Sequence, residues 1–275
     1  MESQLSVQAS AAKRKIKRIA RRLFCGVSRV VHGKRGLTRG VRILTYHRVE
    51  DDPSDPFAVA PEDFRREMEI ISKSRAACAL GDALDGLRVD RDLPPRIVTT
   101  FDDGTSDFLR AALPVLRKLG LPATLFVSPG RIGESGYLTW PELREITEQG
   151  VDVGSHGLDH QSLARLPIAR ARGQIIDSKR ILEDRLGKPI TAIAYPYGTR
   201  SDFNNAVKEE IRTAGYLCAC TSINGINLPV PDFMELRRTK IEQDDMELFV
   251  GIVEGGIDGW AIIDRNLSML QNRYE

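Results

Sequence analysis

The sequence predicts an α/β fold with a parallel sheet, and three observations support this. Apolar, β-prone runs alternate with amphipathic stretches from residue 41 onwards. Glycines follow most of the amphipathic stretches, where the end of a helix favours a left-handed residue. Hydrophobic residues make up 41% of the 275 residues, which is enough for a packed core. Seven such repeats favour an incomplete α/β barrel over an open sheet, although periodicity alone does not separate the two.

The predicted elements alternate along the chain, as βα units require. Strands are predicted at Val41–Tyr46, Arg96–Phe101, Ala123–Ser128, Val151–Ser155, Thr191–Tyr195, Tyr216–Thr221 and Leu236–Ile241. Helices are predicted at Pro61–Ser74, Ser106–Leu119, Thr139–Glu148, Ile168–Leu186, Phe203–Thr213 and Asp245–Glu254. The expected C-cap glycines are Gly120, Gly150, Gly187 and Gly215. No linker interrupts residues 41–275, so we expect one domain there, preceded by an extension over residues 1–40.

The N-terminal extension is strongly basic. Residues 1–40 carry eleven Lys or Arg and one acidic residue, so the rest of the chain has a net charge of −8 within a total of +2. Apolar residues recur in steps of three and four at Ala12, Ile16, Ile19, Leu23, Val27 and Val30. This pattern predicts a basic amphipathic helix, either solvated and packed loosely on the body or lying, through residues 12–31, on an anionic membrane surface. Nucleic acid is a weaker alternative, since the extension has no binding motif and one aromatic residue.

Cysteine usage and hydropathy provide a prediction of the cellular compartment. The four cysteines form neither a zinc ribbon nor a dense disulfide framework, so free buried thiols and a reducing compartment are expected. The sequence has no run of 18 apolar residues, and the segment after KRKIKRIARR is too short and interrupted for a signal-peptide core. We therefore expect a cytoplasmic protein, with peripheral contact at the inner membrane face as a further hypothesis.

Candidate catalytic residues fall at the ends of predicted strands. The segment TFDDG at residues 100–104 reads either as a turn or as half of an active site. An α/β barrel has its active site at the carboxyl ends of its strands. Three of the four histidines, His47, His156 and His160, follow such ends, which favours the active-site interpretation.

The residue types at these ends indicate metal-assisted hydrolysis. His156 and His160 are four residues apart, and with one carboxylate they predict a site for a divalent metal; a solvated or capping pair is the alternative. Of Asp102 and Asp103, one could bind the metal while the other takes a proton from water. His47 could protonate a leaving group, or it could be a hydrogen-bonded core histidine.

Three segments resemble the polysaccharide deacetylase family, also called the NodB-homology or carbohydrate esterase 4 family. They are TFDDG at 100–104, LTWPELREITEQGVDVGSHGLDH at 138–160 and YPYG at 195–198, and the resemblance covers roughly residues 41–241. It implies a distorted (β/α)7 barrel that removes acetyl groups from N-acetylated sugars, with Asp102 as general base. It also implies Asp103, His156 and His160 as ligands of one divalent metal, commonly zinc, and an oxyanion contact from the backbone N–H of Tyr197.

The sequence departs from the family pattern in several places. No histidine follows residue 160, but Tyr46-His47-Arg48-Val49 fits the early Y-H-x-V motif of the branch resembling poly-N-acetylglucosamine deacetylases, which makes His47 the general acid by resemblance. Ala194 replaces the arginine that orients the base in the family, and we take Arg238 as a hypothetical substitute. Gly157 stands where Ser or Thr is usual, and the tryptophan-bearing D-x-x-D-W motif is not recognisable.

The predicted function is therefore a metal-dependent deacetylase acting on an N-acetylated sugar in a polysaccharide, an oligosaccharide or a lipid-linked glycan. One alternative is an O-deacetylase or another amidohydrolase, which the same residues could support. Another is a glycan-binding protein of the same fold with impaired catalysis, which Ala194 keeps open. A third is a membrane-tethering role led by residues 1–31.

Overall fold

The protein is described by a computed structural model over residues 19–27, 37–52, 54–55, 57–89, 92–243 and 246–258. The strands are β1 (Val41–Tyr46), β2 (Arg48–Val49), β3 (Ala58–Val59), β4 (Arg96–Phe101), β5 (Thr124–Val127), β6 (Asp152–Ser155), β7 (Ala192–Ala194), β8 (Cys218–Cys220) and β9 (Thr239–Lys240). The α-helices are α1 (19–27), α2 (Pro61–Ser74), α3 (Leu80–Val89), α4 (Leu113–Leu119), α5 (Trp140–Glu148), α6 (Ile168–Leu186), α7 (Asn205–Thr213) and α8 (Met246–Val253).

Seven parallel strands form a curled half-barrel in the order β8-β7-β6-β5-β4-β1-β9, and β2 pairs with β3 in a small separate ribbon. This is the distorted (β/α)7 barrel that the sequence predicts. The two longest strands, β1 and β4, pair over six residues from Val41↔Arg96 to Tyr46↔Phe101. Their carboxyl ends therefore lie side by side, which sets the position of the residues that follow each strand.

The core has two parts, on the two sides of the sheet. Inside the barrel, side chains from the strands pack together with the apolar face of α3, including Val41, Ile43, Val98, Phe126, Ala192, Ala194, Cys218 and Cys220. Outside it, alternate strand residues such as Leu44 and Tyr46 pack against the surrounding helices. Alternation along a strand explains this division, because successive side chains point to opposite faces. All four cysteines are buried and none forms a disulfide, as predicted.

The segment from Leu236 to Ile241 lies between β8 and β1, at the gap in the curled sheet. Leu236 makes a parallel bridge to Cys220 of β8, whereas Thr239 and Lys240 pair with β1. The prediction of one strand over Leu236–Ile241 is therefore wrong in detail, because the chain changes partner within it. Arg238 lies at this change of partner and is fully buried.

Most other predicted elements are confirmed, and the strands β1 and β4 and the helices α2 and α6 have the predicted bounds. The four predicted C-cap glycines all have positive φ, between 64° and 88°. The helix α3 and the β2–β3 ribbon were not predicted. The stretch predicted as one helix over Ser106–Leu119 begins as a π-helix at Phe108–Ala112. Pro114 explains the wide turn, because it has no N–H and its ring crowds the carbonyl of Arg110.

The predicted N-terminal helix is present over residues 19–27, and the rest of the predicted stretch lies outside the described residues. The helix α1 does not pack its apolar stripe against the barrel. Ile19, Leu23 and Val27 are exposed, whereas Arg21 and Cys25 are buried. Among the described residues, no helix combines the length and the apolarity that crossing a bilayer requires.

Candidate metal centre

The candidate site is built at the carboxyl ends of adjacent strands. The backbone N–H of Asp102, directly after β4, donates to the carbonyl of Tyr46 at 3.0 Å, and the N–H of His156, directly after β6, donates to Val127 at 2.8 Å. These bonds extend the sheet by one residue beyond the strands. They fix Asp102 and His156 relative to the neighbouring strands before any side-chain contact is considered.

The Asp102-Asp103-Gly104 segment is both a turn and part of the site. Asp103 and Gly104 have φ values of 74° and 75°. A side chain at position 104 would also collide with its neighbour, since an added Cβ would lie 2.7 Å from Cγ1 of Val127. The turn leaves Asp102 buried at the strand end and Asp103 half-buried. The two carboxylates therefore occupy different environments, as the sequence interpretation requires.

Three predicted ligands converge. Oδ1 of Asp103 lies 3.6 Å from Nε2 of His156 and 3.3 Å from Nε2 of His160. One ligand atom from each residue lies within 4.8 Å of the others, which makes these three residues a possible metal site. Zinc binds such atoms at about 2.0–2.2 Å, so tetrahedral ligands are spaced by about 3.3 Å. Two imidazole nitrogens and one carboxylate oxygen are also a donor set that zinc accepts, and the residues thus fit the ion.

Supporting contacts orient the two histidines. Nδ1 of His156 lies 2.9 Å from the carbonyl of Ala194, which favours the tautomer with a free Nε2. The loop between the histidines is held by the buried Gln174, whose Oε1 accepts hydrogen bonds from the N–H groups of Leu158 and Asp159 at 3.0 and 3.2 Å. Burial lowers the pKa of His160, and neutral imidazole is the form that binds metal.

Asp102 is held by Arg238 in a bidentate pair. Nη1 and Nη2 of Arg238 each lie 2.7 Å from a carboxylate oxygen of Asp102. Nε of Arg238 donates to the carbonyl of Thr221 at 2.8 Å, which fixes the plane of the guanidinium. Burial raises the pKa of Asp102, but the charges of Arg238 and then His156 outweigh burial and hold it well below its ordinary 3.8. This is the contact expected of a base-orienting arginine, and the methyl group of Ala194 could not make it.

His47 follows β1 at the same end of the barrel. Its ring stacks on Phe57 with centroids 5.1 Å apart, and its Nδ1 is buried without a hydrogen-bond partner among the described residues. Burial lowers the pKa of His47 to about 4, and Lys240 adds to this, while Asp102 and Asp103 oppose it. Because Nδ1 has no partner among these residues, the alternative in which His47 is a hydrogen-bonded core histidine is not supported for that atom. In the metal-free protein the imidazole is neutral at pH 7.

Tyr197 lies beside the proposed metal ligands, with its ring centroid 4.8 Å from that of His160. It has a φ of 61°, which is rare for a residue with a side chain. The turn is closed by Gly198, whose N–H donates to the carbonyl of Pro196, and Ser222 binds the carbonyl of Tyr197. Within the described part of the chain, the backbone N–H of Tyr197 has no acceptor. It is thus available to a substrate oxygen.

Comparisons with known proteins indicate one protein family. A family model described as polysaccharide deacetylase matches residues 90–219, which contain Asp102, Asp103, both loop histidines and Tyr197. Residues 90–219 therefore match a polysaccharide deacetylase domain. The domain is similar to the YxkH protein of Bacillus subtilis, with 28% identity over 66% of this chain and 64% of that protein. The alignment thus spans a little under two thirds of that relative.

Two further relatives extend the comparison. The poly-β-1,6-N-acetyl-D-glucosamine N-deacetylase of Staphylococcus epidermidis is 27% identical over 58% of this chain and 65% of its own length. The solved structure of the Streptococcus pyogenes deacetylase PplD, in complex with acetate, has a TM-score of 0.68 and 25% identity. It covers 74% of this chain and 94% of that chain. The deacetylase domain therefore has the barrel of its structural relatives.

The structure brings together every predicted site residue and adds some that the sequence analysis missed. Gln174, Lys240 and Phe57 were not singled out. Gln174 could have been found as a polar residue within the buried stripe of α6, next to Ile175 and near Ala171. Phe57 gave no signal, because its role depends on the unpredicted β2–β3 ribbon. For Lys240, the sequence does not show that its charge reaches His47.

Proposed function

We propose that the protein is a metal-dependent deacetylase that hydrolyses the N-acetyl group of an N-acetylated sugar in a polysaccharide, an oligosaccharide or a lipid-linked glycan and releases acetate. The observation that carries this proposal is the convergence of Asp103, His156 and His160 beside an ionised, arginine-held Asp102. The names of the relatives support the substrate class, since one is a poly-N-acetylglucosamine N-deacetylase and another was solved with acetate.

Asp103, His156 and His160 would hold the ion. A bound zinc-like ion would polarise the acetyl carbonyl and lower the pKa of the attacking water. Asp102 would accept a proton from that water. Because Arg238 keeps the pKa of Asp102 low, this carboxylate is a weak base, and it suits only a water that is already acidified. The weak base and the metal site are therefore consistent with each other.

The other two groups would act on the opposite atoms of the amide. The N–H of Tyr197 would donate to the carbonyl oxygen as negative charge develops there, a contact worth roughly 3 kcal/mol in comparable sites. His47 would donate a proton to the sugar nitrogen as the C–N bond breaks, so that water and amide yield acetate and amine. Since burial keeps His47 neutral in the free protein, its imidazole would have to take up the proton that Asp102 accepts from the water and pass that proton to the nitrogen.

Acetate release from N-acetylglucosamine oligomers tests the proposal. Asp102→Asn should keep the fold and the metal yet reduce turnover by at least about 100-fold, because the base is lost. Asp258→Asn is the matched control, since Asp258 also forms a bidentate pair with a buried arginine, Arg42, away from the site. Wild-type turnover in Asp102→Asn would refute the assignment of the base.

A substrate panel separates the alternatives. Release of acetate only from O-acetylated sugars would favour the O-deacetylase. Glycan binding by a folded, metal-loaded protein that releases no acetate would favour the binding protein. The contact between Arg238 and Asp102 weighs against impaired catalysis, because it supplies what Ala194 lacks.

A further inference from the structure

The helix α1 has a buried polar side and an exposed apolar side. Arg21 and Cys25 face the body and are 5% and 4% exposed. Ile19, Leu23 and Val27 face outwards and are 48%, 67% and 61% exposed. The steps of four residues place these three on one stripe of the helix. A surface helix of a globular domain ordinarily shows the reverse arrangement, with its apolar stripe packed inwards.

The inward side is attached to the barrel, so the outward stripe has a defined orientation. Arg21 forms an ion pair with Glu242 at 3.4 Å and donates to the carbonyl of Lys240 at 3.4 Å. The other anchor is Cys25, which packs against Gly251 and Gly256 so closely that an added Cβ on Gly251 would lie 2.1 Å from its Sγ. Small residues thus let α1 approach α8 closely, and the apolar stripe remains on the outside.

The charge of the adjacent chain indicates what covers this stripe. Besides the inward-facing Arg21, residues 13–22 of the sequence include six Lys or Arg, and they lie directly before or at the start of α1. A stripe of aliphatic side chains next to clustered cations matches the two parts of an anionic bilayer surface, its acyl boundary and its headgroups. Nucleic acid would satisfy the cations but would leave the aliphatic stripe in water.

We propose that the face of α1 formed by Ile19, Leu23 and Val27 inserts into the interface of an anionic bilayer, to which the excess of Lys and Arg in the sequence before it adds electrostatic attraction. The proposal does not depend on the deacetylase activity. It has a geometric consequence, because Arg21 binds Lys240 and Glu242 at the carboxyl end of β9. The start of α1 therefore lies at the end of the barrel that carries the metal centre.

Vesicle flotation of the full chain tests the proposal. We expect binding to phosphatidylcholine vesicles with about 30% phosphatidylglycerol, and at least about tenfold weaker binding to phosphatidylcholine alone. Raising the salt from about 0.1 to 0.5 M should also weaken binding, because the headgroup attraction is screened. No binding to anionic vesicles at low salt would overturn the proposal.

Leu23→Glu and Leu228→Glu form a matched pair, since Leu228 is also exposed, at 59%, but lies outside α1. Leu23→Glu should reduce vesicle binding at least about tenfold, because a charge would enter the apolar boundary, while Leu228→Glu binds as wild type. Equal binding by all three proteins would contradict insertion of the stripe.

Two further readouts identify a different occupant. Because Leu23 is exposed, the melting temperature of Leu23→Glu should equal that of wild type. A fall of the size caused by core substitutions would mean that another segment of the chain covers the stripe. A change of oligomeric state in gel filtration would mean that a second copy covers it. Either result would overturn the membrane assignment.

Discussion

Replacing Arg238 with methionine tests the electrostatic account of the site. The side chains of Arg238 and Asp102 are 1% and 4% exposed, so solvent screens their interaction very little. Arg238→Met removes both 2.7 Å contacts to Asp102 and the bond to the carbonyl of Thr221. Breaking one partner of a buried ion pair leaves an uncompensated charge and costs about 3–5 kcal/mol. We expect a loss of that size in the free energy of unfolding at pH 7.

The loss should depend on pH in a definite direction. In the wild type the pKa of Asp102 is lower in the native state than in the unfolded chain, so its contribution is present above pH 3.8 and disappears only as the pH falls through the lower native value. Without Arg238, burial raises the native pKa above the unfolded one. Protonation then favours the native state, and the deficit of Arg238→Met should shrink as the pH falls from 7 towards 4.

Arg42→Met is the matched control, because Arg42 is equally buried and bidentate to Asp258 away from the metal centre. Urea unfolding at several pH values measures the loss in the free energy of unfolding. Acetate release over the same pH range measures the acid limb of activity, the pH range in which turnover falls as the pH is lowered. Arg238→Met should move that limb to higher pH, whereas Arg42→Met should leave it in place. A loss below about 1 kcal/mol, or the same pH dependence in both variants, would refute the reasoning.

Three other predictions concern the same end of the barrel. Zinc should raise the melting temperature of the wild type but not of His156→Ala, because an ion that binds only the native state stabilises it; equal shifts would contradict the ligand assignment. Gln174→Met should weaken zinc binding by about 10- to 100-fold in a competition titration, because the N–H groups of Leu158 and Asp159 lose their acceptor; unchanged affinity would mean that the loop needs no such support. His47→Gln should lose less stability than wild type as the pH falls from 6.5 to 4, since burial keeps the native imidazole neutral while the unfolded one gains a proton. Parallel stability curves would show that His47 is not buried in this way.

The site residues at the strand ends could be predicted from the sequence, because residue types that bind metals or transfer protons occur where the predicted strands end. Asp102 and Tyr197 follow apolar runs that become the buried strands β4 and β7, and His156 directly follows β6. Parallel strands bring their carboxyl ends together. The glycine caps were predictable for a local reason, since each helix end needs positive φ. Local periodicity and turn chemistry therefore sufficed for the alternating elements and for placing candidate residues at strand ends, whereas the choice of Asp103 over Asp102 as a ligand came from the family resemblance.

Contacts between distant segments were harder to predict. Arg238 lies 136 residues from Asp102 in sequence, and its contact depends on where the closing segment changes from β8 to β1. The support from Gln174 depends on how α6 packs behind the histidine loop. The orientation of α1 was missed, because periodicity identifies an apolar stripe but not the side on which a close approach to Gly251 places it.

The most direct test of the central claim is the metal content of the protein, measured by elemental mass spectrometry after purification without chelator or affinity tag. We predict about one zinc-like ion per chain in the wild type, and its loss in folded Asp103→Ala, His156→Ala and His160→Ala. His47→Ala should keep the ion, because His47 is not among the proposed ligands. A wild type without metal, even after zinc is offered, or ligand variants that bind it as wild type does, would contradict the account.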